Sequence, residues 1–414
     1  MAEAPGAPPS DHPEIVRRTQ LVDVVRSIPA GVLVPIESTI VLTIAITRFD
    51  AAGWVKGLIA AAAGIGLLAS PFLTAAARRT RRPVMVIAAA VSLVGAAGFV
   101  LAASGALSLM VVGSMIGVAA VSAPIPLLTA TYERNFAARD RGRRVGRGMA
   151  VRVAVSALAG LAMGSYLTTH PDRWWQLLVV AAAGMAAVAV CQANLPSEPL
   201  APLEGHTSVL PHFHLVAEDR QLRLTLIAWM FMGFGNLMLL PLRVEYLARP
   251  VYGVGADAAK ITMLTVTVPS IVRLVCMPVF GSLFDRLSFF SARIMVNLLF
   301  ALYVAAFFSG SSDVGLVLGA VAFGVASAGG DLMWSLWVTK FAPPGRVADY
   351  MGLHTFFTGV RAVTAPILGF LVIERFDLGT VAWIATAMMI VSSMVLLPEA
   401  RLERRAAAER VGSR

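Results

Sequence analysis

Apolar runs of the length that crosses a bilayer alternate with short polar stretches along the chain. They fall at 27–47, 54–76, 83–103, 106–130, 148–169 and 174–194, then at 223–247, 258–284, 291–309, 314–340, 350–373 and 379–397. A helix rising about 1.5 Å per residue needs about 20 apolar residues to cross roughly 30 Å of hydrocarbon, so each run predicts one spanning helix. The runs are continuous, without the period-two alternation of barrel strands, which selects helices over a β-barrel. The pattern divides the chain into a polar tail (1–26), a six-helix bundle (27–194), a linker (195–222), a second six-helix bundle (223–397) and a basic tail (398–414). The expected fold is an all-α integral membrane protein of two pseudo-symmetric bundles.

Composition agrees with this. Of 414 residues 57% are hydrophobic and 14% charged, and the mean hydropathy of +0.76 exceeds what a soluble domain exposes. A net charge of +10 would suggest nucleic acid in a soluble protein. Here the arginines cluster instead in short loops: Arg17, Arg18 and Arg26 before the first helix, "ARRTRRP" after the second, "ARDRGRRVGR" after the fourth, and "RLERRAAAERVGSR" at the end. All fall on one side, and the positive-inside rule makes that side, with both termini, cytoplasmic. Trp54, Trp174, Trp175 and Trp383 sit at the opposite helix starts, as an interfacial belt requires. No cleaved signal peptide is expected, and the cell (inner) membrane is the expected location. Cys191 and Cys276 lie in separate apolar helices, which indicates neither a disulfide framework nor a thiolate metal site. His206, His212 and His214 share a linker with no fixed fourth ligand, so no metal site is expected there.

The halves also repeat. Ser122, Phe136, Arg141 and Gly164 recur at one constant offset as Ser327, Phe341, Arg346 and Gly369, and "VLVP" ending at Pro35 matches "MLLP" ending at Pro241. A six-helix internal repeat marks transporters built from two related bundles. With this architecture, and with "GSLFDR" at 281–286, the chain resembles the major facilitator superfamily of secondary transporters. The resemblance implies that Gly281 permits close helix approach, and that Asp285 and Arg286 act in the conformational switch at neighbouring helix ends. The first-half copy, "SPFLTAAARRTRRP", has Ala75 at the acidic position. Gly160 and Gly164 on the fifth helix offer a further close contact.

Charges inside the membrane are costly, about 2.5 to 3.5 kcal/mol at a helix centre, and therefore face protein or water. Glu37 lies within the first helix, Arg273 in the eighth, Asp331 in the tenth and Arg361 in the eleventh. The resemblance places these helices around a central cavity. Pro35 and Pro29 free helical carbonyls beside Glu37, as in the discontinuous helices of transporter sites. Glu37 is the leading candidate for substrate or coupling-proton binding, with a structural ion pair as its alternative. Asp331 and Arg361 would either pair with each other or meet a ligand directly, and Arg273 with Arg361 would favour an anionic or polar substrate. Arg152 reads as an interfacial snorkeller. Tyr132, Asn236, Trp334 and His354 are further cavity candidates, with Trp334 and Trp337 also suited to core packing.

Nucleotide-driven pumping is excluded through a P-loop, because none of Lys56, Lys260 and Lys340 lies in that motif. "AGGD" at 328–331 resembles an aspartyl intramembrane protease only loosely, since the motif has a different first residue and lacks an aspartyl partner. The expected function is secondary transport of a small solute by alternating access. No enzyme activity or cofactor is expected, a proton or other ion gradient would supply the driving force, and the lipid bilayer is the only expected macromolecular partner of a monomer. A lipid flippase and a non-transporting receptor remain the alternatives, because fold does not fix function.

Overall fold

The structure, a computed structural model, describes residues 12–200, 213–336 and 347–412, with the side chains of several helix-end residues excluded, among them Asp285 and Arg286. Among the described residues there are twelve helices long and apolar enough to cross a membrane. They are α1 (Pro13–Thr47), α2 (Gly53–Thr80), α3 (Val84–Ala102), α4 (Leu107–Asn135), α5 (Ala138–Thr169), α6 (Pro171–Ala193), α7 (Arg220–Ala248), α8 (Ala258–Leu283, continuing to Arg286), α9 (Phe289–Phe308), α10 (Asp313–Leu336), α11 (Val347–Val372) and α12 (Leu378–Gly412). Among the described residues there is no strand.

Three helices outrun their apolar segments. α1 begins at Pro13, α5 at Ala138 and α12 continues to Gly412. Hydropathy marks where the hydrocarbon ends, whereas a helix stops only where its backbone bonds do, so polar turns extend beyond the apolar runs. The stretch read as a polar tail is therefore helical from Pro13, and it is packed. Thr19, Asp23 and Ser27 are buried on one face of α1. A Cβ on Gly148 of α5 would lie 2.5 Å from an Asp23 carboxylate oxygen, so only glycine lets the two helices meet there.

Packing within the halves follows one scheme twice. In the first half α1 packs on α5 and α6, α3 on α4 and α6, and α2 on α4. In the second half α7 packs on α11 and α12, α9 on α10 and α12, and α8 on α10. Adding six to each helix number converts one set into the other, which is the two-bundle pseudo-symmetry the repeat predicts. The main contacts between bundles, α2 with α11 and α5 with α8, exchange under the same operation.

Both inter-bundle seams are built on glycine. On α2, a Cβ at Gly64 would come within 2.6–2.8 Å of backbone atoms of Ala362 and Val363 on α11. On α5, a Cβ at Gly164 would lie 2.9 Å from the Ala258 carbonyl oxygen and closer still to the Thr262 hydroxyl, while Gly160 meets Val266 and Thr267. Lipid tails are as apolar as leucine, so close van der Waals contact between small residues holds such helices together. The contact expected at Gly160 and Gly164 thus proves to join the bundles. At Gly281 a Cβ would meet nothing within 4 Å among the described residues. The side chains of Asp285 and Arg286 lie outside the described residues.

Candidate functional site

Two helices lose their regular winding where they meet. A π-turn occupies Ile36–Ile40 of α1, directly after Pro35, and another occupies Met263–Thr267 of α8, just before Pro269. Proline cannot donate the expected backbone bond, and a wider turn re-aims the side chains around it. The two turns touch through Thr39 Oγ1 and Thr265 Oγ1, 3.0 Å apart. Glu37 belongs to the first of these turns.

Around this junction stand four charges. Arg152 on α5 donates to Glu37 Oε1 at 3.3 Å, with side chains 42% and 18% exposed respectively. Arg273 on α8 is ion-paired with Asp331 on α10, at 29% and 35% exposure. Each pair is formed within one bundle, and the partial exposure shows that both border an open space. The pairs also face each other. The Arg152 charge interacts with those of Arg273 and Asp331, and one helical turn along, Ser156 Oγ of α5 lies 3.0 Å from Ser270 Oγ of α8.

The side of the molecule away from the termini is closed. Lys56 on α2 forms a buried salt bridge with Glu245 on α7 at 2.7 Å. Arg249 flanks the same carboxylate at 3.4 Å and reaches across to Asp50 at 2.5 Å. Thr168 accepts a bond from the Ala259 backbone N–H, and Thr267 donates to the Ala157 carbonyl. Leu42 and Ile46 of α1 are packed into the core of the second bundle. Among the described residues, every hydrogen bond and ion pair between the bundles lies at the level of the two charge pairs or beyond it on this far side. Among the described residues the charge pairs therefore mark the limit of the cross-bundle bonds, and the partly exposed side chains border the cleft between the bundles at that level.

The other candidates fall elsewhere. Arg361 does not meet Asp331. It is buried within the second bundle, where it donates to the Trp229 carbonyl at 2.5 Å and to Thr358 Oγ1 at 3.0 Å. Gly233 makes room for it, since a Cβ there would lie 2.5 Å from Arg361 Nε. His354 is buried beside it, packed edge-on to Trp229 at 4.8 Å and against Trp334 at 5.6 Å. Arg361 and His354 are thus buried within the second bundle, and Trp334 is half-buried against its core. The convergence of Arg273 and Arg361 that would favour an anion is absent. Tyr132 is buried too, donating to Asp23 at 2.5 Å and accepting from Arg26 at 3.0 Å, which ties α4 to the extended α1. Asn236 is half-buried on α7 with Oδ1 unpartnered among the described residues.

Two features escaped sequence reading. Arg152 is no snorkeller but the partner of Glu37, a pairing across more than a hundred positions that no local pattern reveals. Arg293, near the start of α9, is fully buried with its guanidinium 3.7 Å over the Trp229 ring. Among the described residues no cluster of His, Cys, Asp or Glu is arranged to hold a metal ion, and His206 and His212 lie outside those residues.

The family model described as Major Facilitator Superfamily matches residues 25–314, well over half of the chain. The chain belongs to the Major Facilitator Superfamily. Solved structures of the superfamily share its architecture. The nucleoside transporter NupG superposes with a TM-score of 0.70 at 14% identity, covering 93% of this chain and 98% of its own. The D-xylose-proton symporter gives 0.68 at 15% identity, with 92% and 97% covered. The inward-open conformation of the xylose transporter XylE from E. coli gives 0.67 at 14% identity, with 93% and 95% covered. At these identities the likeness establishes the fold. No curated protein sequence matches the chain. As a superfamily member the protein is a multi-pass membrane protein with the fold of a solute transporter.

Proposed function

We propose that this superfamily member is a proton-coupled secondary transporter of a small polar solute, working by alternating access, with the Glu37–Arg152 and Arg273–Asp331 pairs as the place where solute and proton act. The observation carrying this is the position of the pairs: each lies within one bundle, both are partly exposed, and among the described residues they stand where the cross-bundle bonds stop. A solute reaching them touches both bundles at once. Release of the far-side contacts would expose the same charges to the other face, which is what alternating access requires.

Glu37 is the coupling group in this reading. Paired with Arg152 it is a carboxylate; when the guanidinium is drawn away, the low-dielectric surroundings favour the protonated acid, so partner exchange loads and unloads a proton. The neighbouring folds support the assignment of class, since one structure is titled a nucleoside transporter and another a D-xylose-proton symporter. The protease alternative needs two carboxylates sharing a site, whereas Asp331 is paired with a guanidinium. The arginine-rich loops support a cytoplasmic-membrane protein with its termini inside, acting as a monomer without a cofactor.

The test is flux into proteoliposomes under an imposed pH gradient, across anionic, cationic, zwitterionic and neutral solutes. The reading expects gradient-driven accumulation of at least one of them. Absence of flux for every solute would move the protein to the receptor or flippase class.

A further inference from the structure

The two charge pairs have a joint property that neither has alone. They place two guanidiniums and two carboxylates around one cleft, a formal sum of zero, with one charge of each sign on each bundle. We propose that this quartet is the binding site for a net-neutral zwitterion, a solute bearing one carboxylate and one ammonium group a few ångströms apart. The proposal rests on the transporter reading above and names its substrate class.

The argument is one of charge bookkeeping in a medium that tolerates no surplus. An anion that arrives without a proton competes with Glu37 for Arg152 and adds a charge with no counter-charge, and a cation at Asp331 competes in the same way with Arg273. Removing one partner from a desolvated ion pair is strongly unfavourable, because the charge left behind has lost both water and partner. A neutral polyol inserted between the pairs would separate charges and offer only dipoles in return. A zwitterion avoids this by extending the row of alternating charges: its carboxylate shares the Arg152 guanidinium with Glu37, its ammonium shares the Asp331 carboxylate with Arg273, and the sum stays at zero.

Geometry adds a reason for the solute to drive motion. Both resident pairs are intra-bundle, α1 with α5 and α8 with α10. A zwitterion whose carboxylate binds Arg152 of the first bundle and whose ammonium binds Asp331 of the second adds a bridge between the bundles to the two internal pairs. The serine pair Ser156 and Ser270, one turn away, already holds the two helix faces at bonding distance. A ligand can shift a conformational equilibrium only by its differential affinity for the two states. A bridge available only when the bundles close around the solute supplies that difference, and a solute of single charge cannot form it.

The test is the thermal stability of the purified full-length protein in detergent, with millimolar leucine, alanyl-alanine or γ-aminobutyrate, which space the same two charges differently. Each is compared with its N-acetyl form, an anion, and its methyl ester, a cation. The proposal expects at least one zwitterion to raise Tm by several degrees while its two single-charge derivatives do not. Two charge-balanced variants follow, Glu37→Gln with Arg152→Gln, and Arg273→Gln with Asp331→Asn. Whichever of them folds, judged by elution and unliganded Tm, should lose the shift. A shift retained in a folded variant, a larger shift with a single-charge derivative, or no shift with any zwitterion overturns the proposal. Proteoliposome flux separates this from the broader reading: gradient-driven movement of a non-zwitterionic solute would leave a transporter of another substrate class.

Discussion

Residues in this protein act through what surrounds them more than through their type. Glu37 and Glu245 are both carboxylates on the first helix of a bundle, the first half-buried and the second buried. Glu37 has one partly exposed guanidinium as partner, whereas Glu245 is enclosed by Lys56 and Arg249. The first can exchange partners and the second is a clasp. Glu37→Gln should accordingly abolish pH-driven accumulation while solute exchange down its own gradient persists, which counterflow measured beside gradient-driven uptake will distinguish. Retained accumulation would remove Glu37 from the coupling step. Lys56→Met leaves Glu245 with only Arg249, and loss of a buried partner costs on the order of 3–5 kcal/mol, toward the low end here because a second cation remains. Arg361 is a third case. Its charge is held by a backbone carbonyl, a hydroxyl and the space over Gly233. Gly233→Ala should lower Tm through overpacking of about 1–3 kcal/mol, with the apparent affinity for solute unchanged, a result that would set Arg361 apart from the cleft.

At the scale of elements, the number, order and depth of the helices were legible in hydropathy, because a bilayer of fixed thickness imposes a fixed run length. The ends were not, because the polar turns of α1, α5 and α12 run on beyond the lipid, and the starts of α1 and α5 carry no side-chain cap that would mark them. α7 shows such a signal, with Asp219 accepting from the Gln221 and Leu222 backbone N–H groups at its start. Pro35 flagged the irregular turn beside Glu37, and the glycines of α5 flagged a contact, yet the partner helix remained hidden since a glycine carries no information about what approaches it. Individual ion pairs were the least legible. Asp331 was within reach of two arginines by depth, and only helix rotation decides for Arg273. The seams give a prediction at this scale. Gly64→Leu forces α2 away from the Ala362 backbone, which cannot yield as a side chain can. It should lower Tm and raise labelling of a cysteine placed at Thr39 by a reagent applied from the far side; protection equal to wild type would show that the α2–α11 seam does not hold that side shut.

For the whole molecule, the distribution of cross-bundle bonds defines the state. The described ones lie at the level of the charge pairs or beyond it on the side away from the termini, so the structure is closed on that side. Lys56→Met should shift the population toward the oppositely oriented state, about tenfold for each 1.4 kcal/mol lost from the clasp. Accessibility of single cysteines on the two faces reads that shift directly. The clasp also has a layered build: Lys56 and Glu245 are sealed, while Asp50, which meets Arg249, is 80% exposed. Mobile ions screen an exposed pair far more than a buried one. The ionic strength of the medium bathing the closed face therefore enters the protein's orientation as a fine adjustment on a fixed setting.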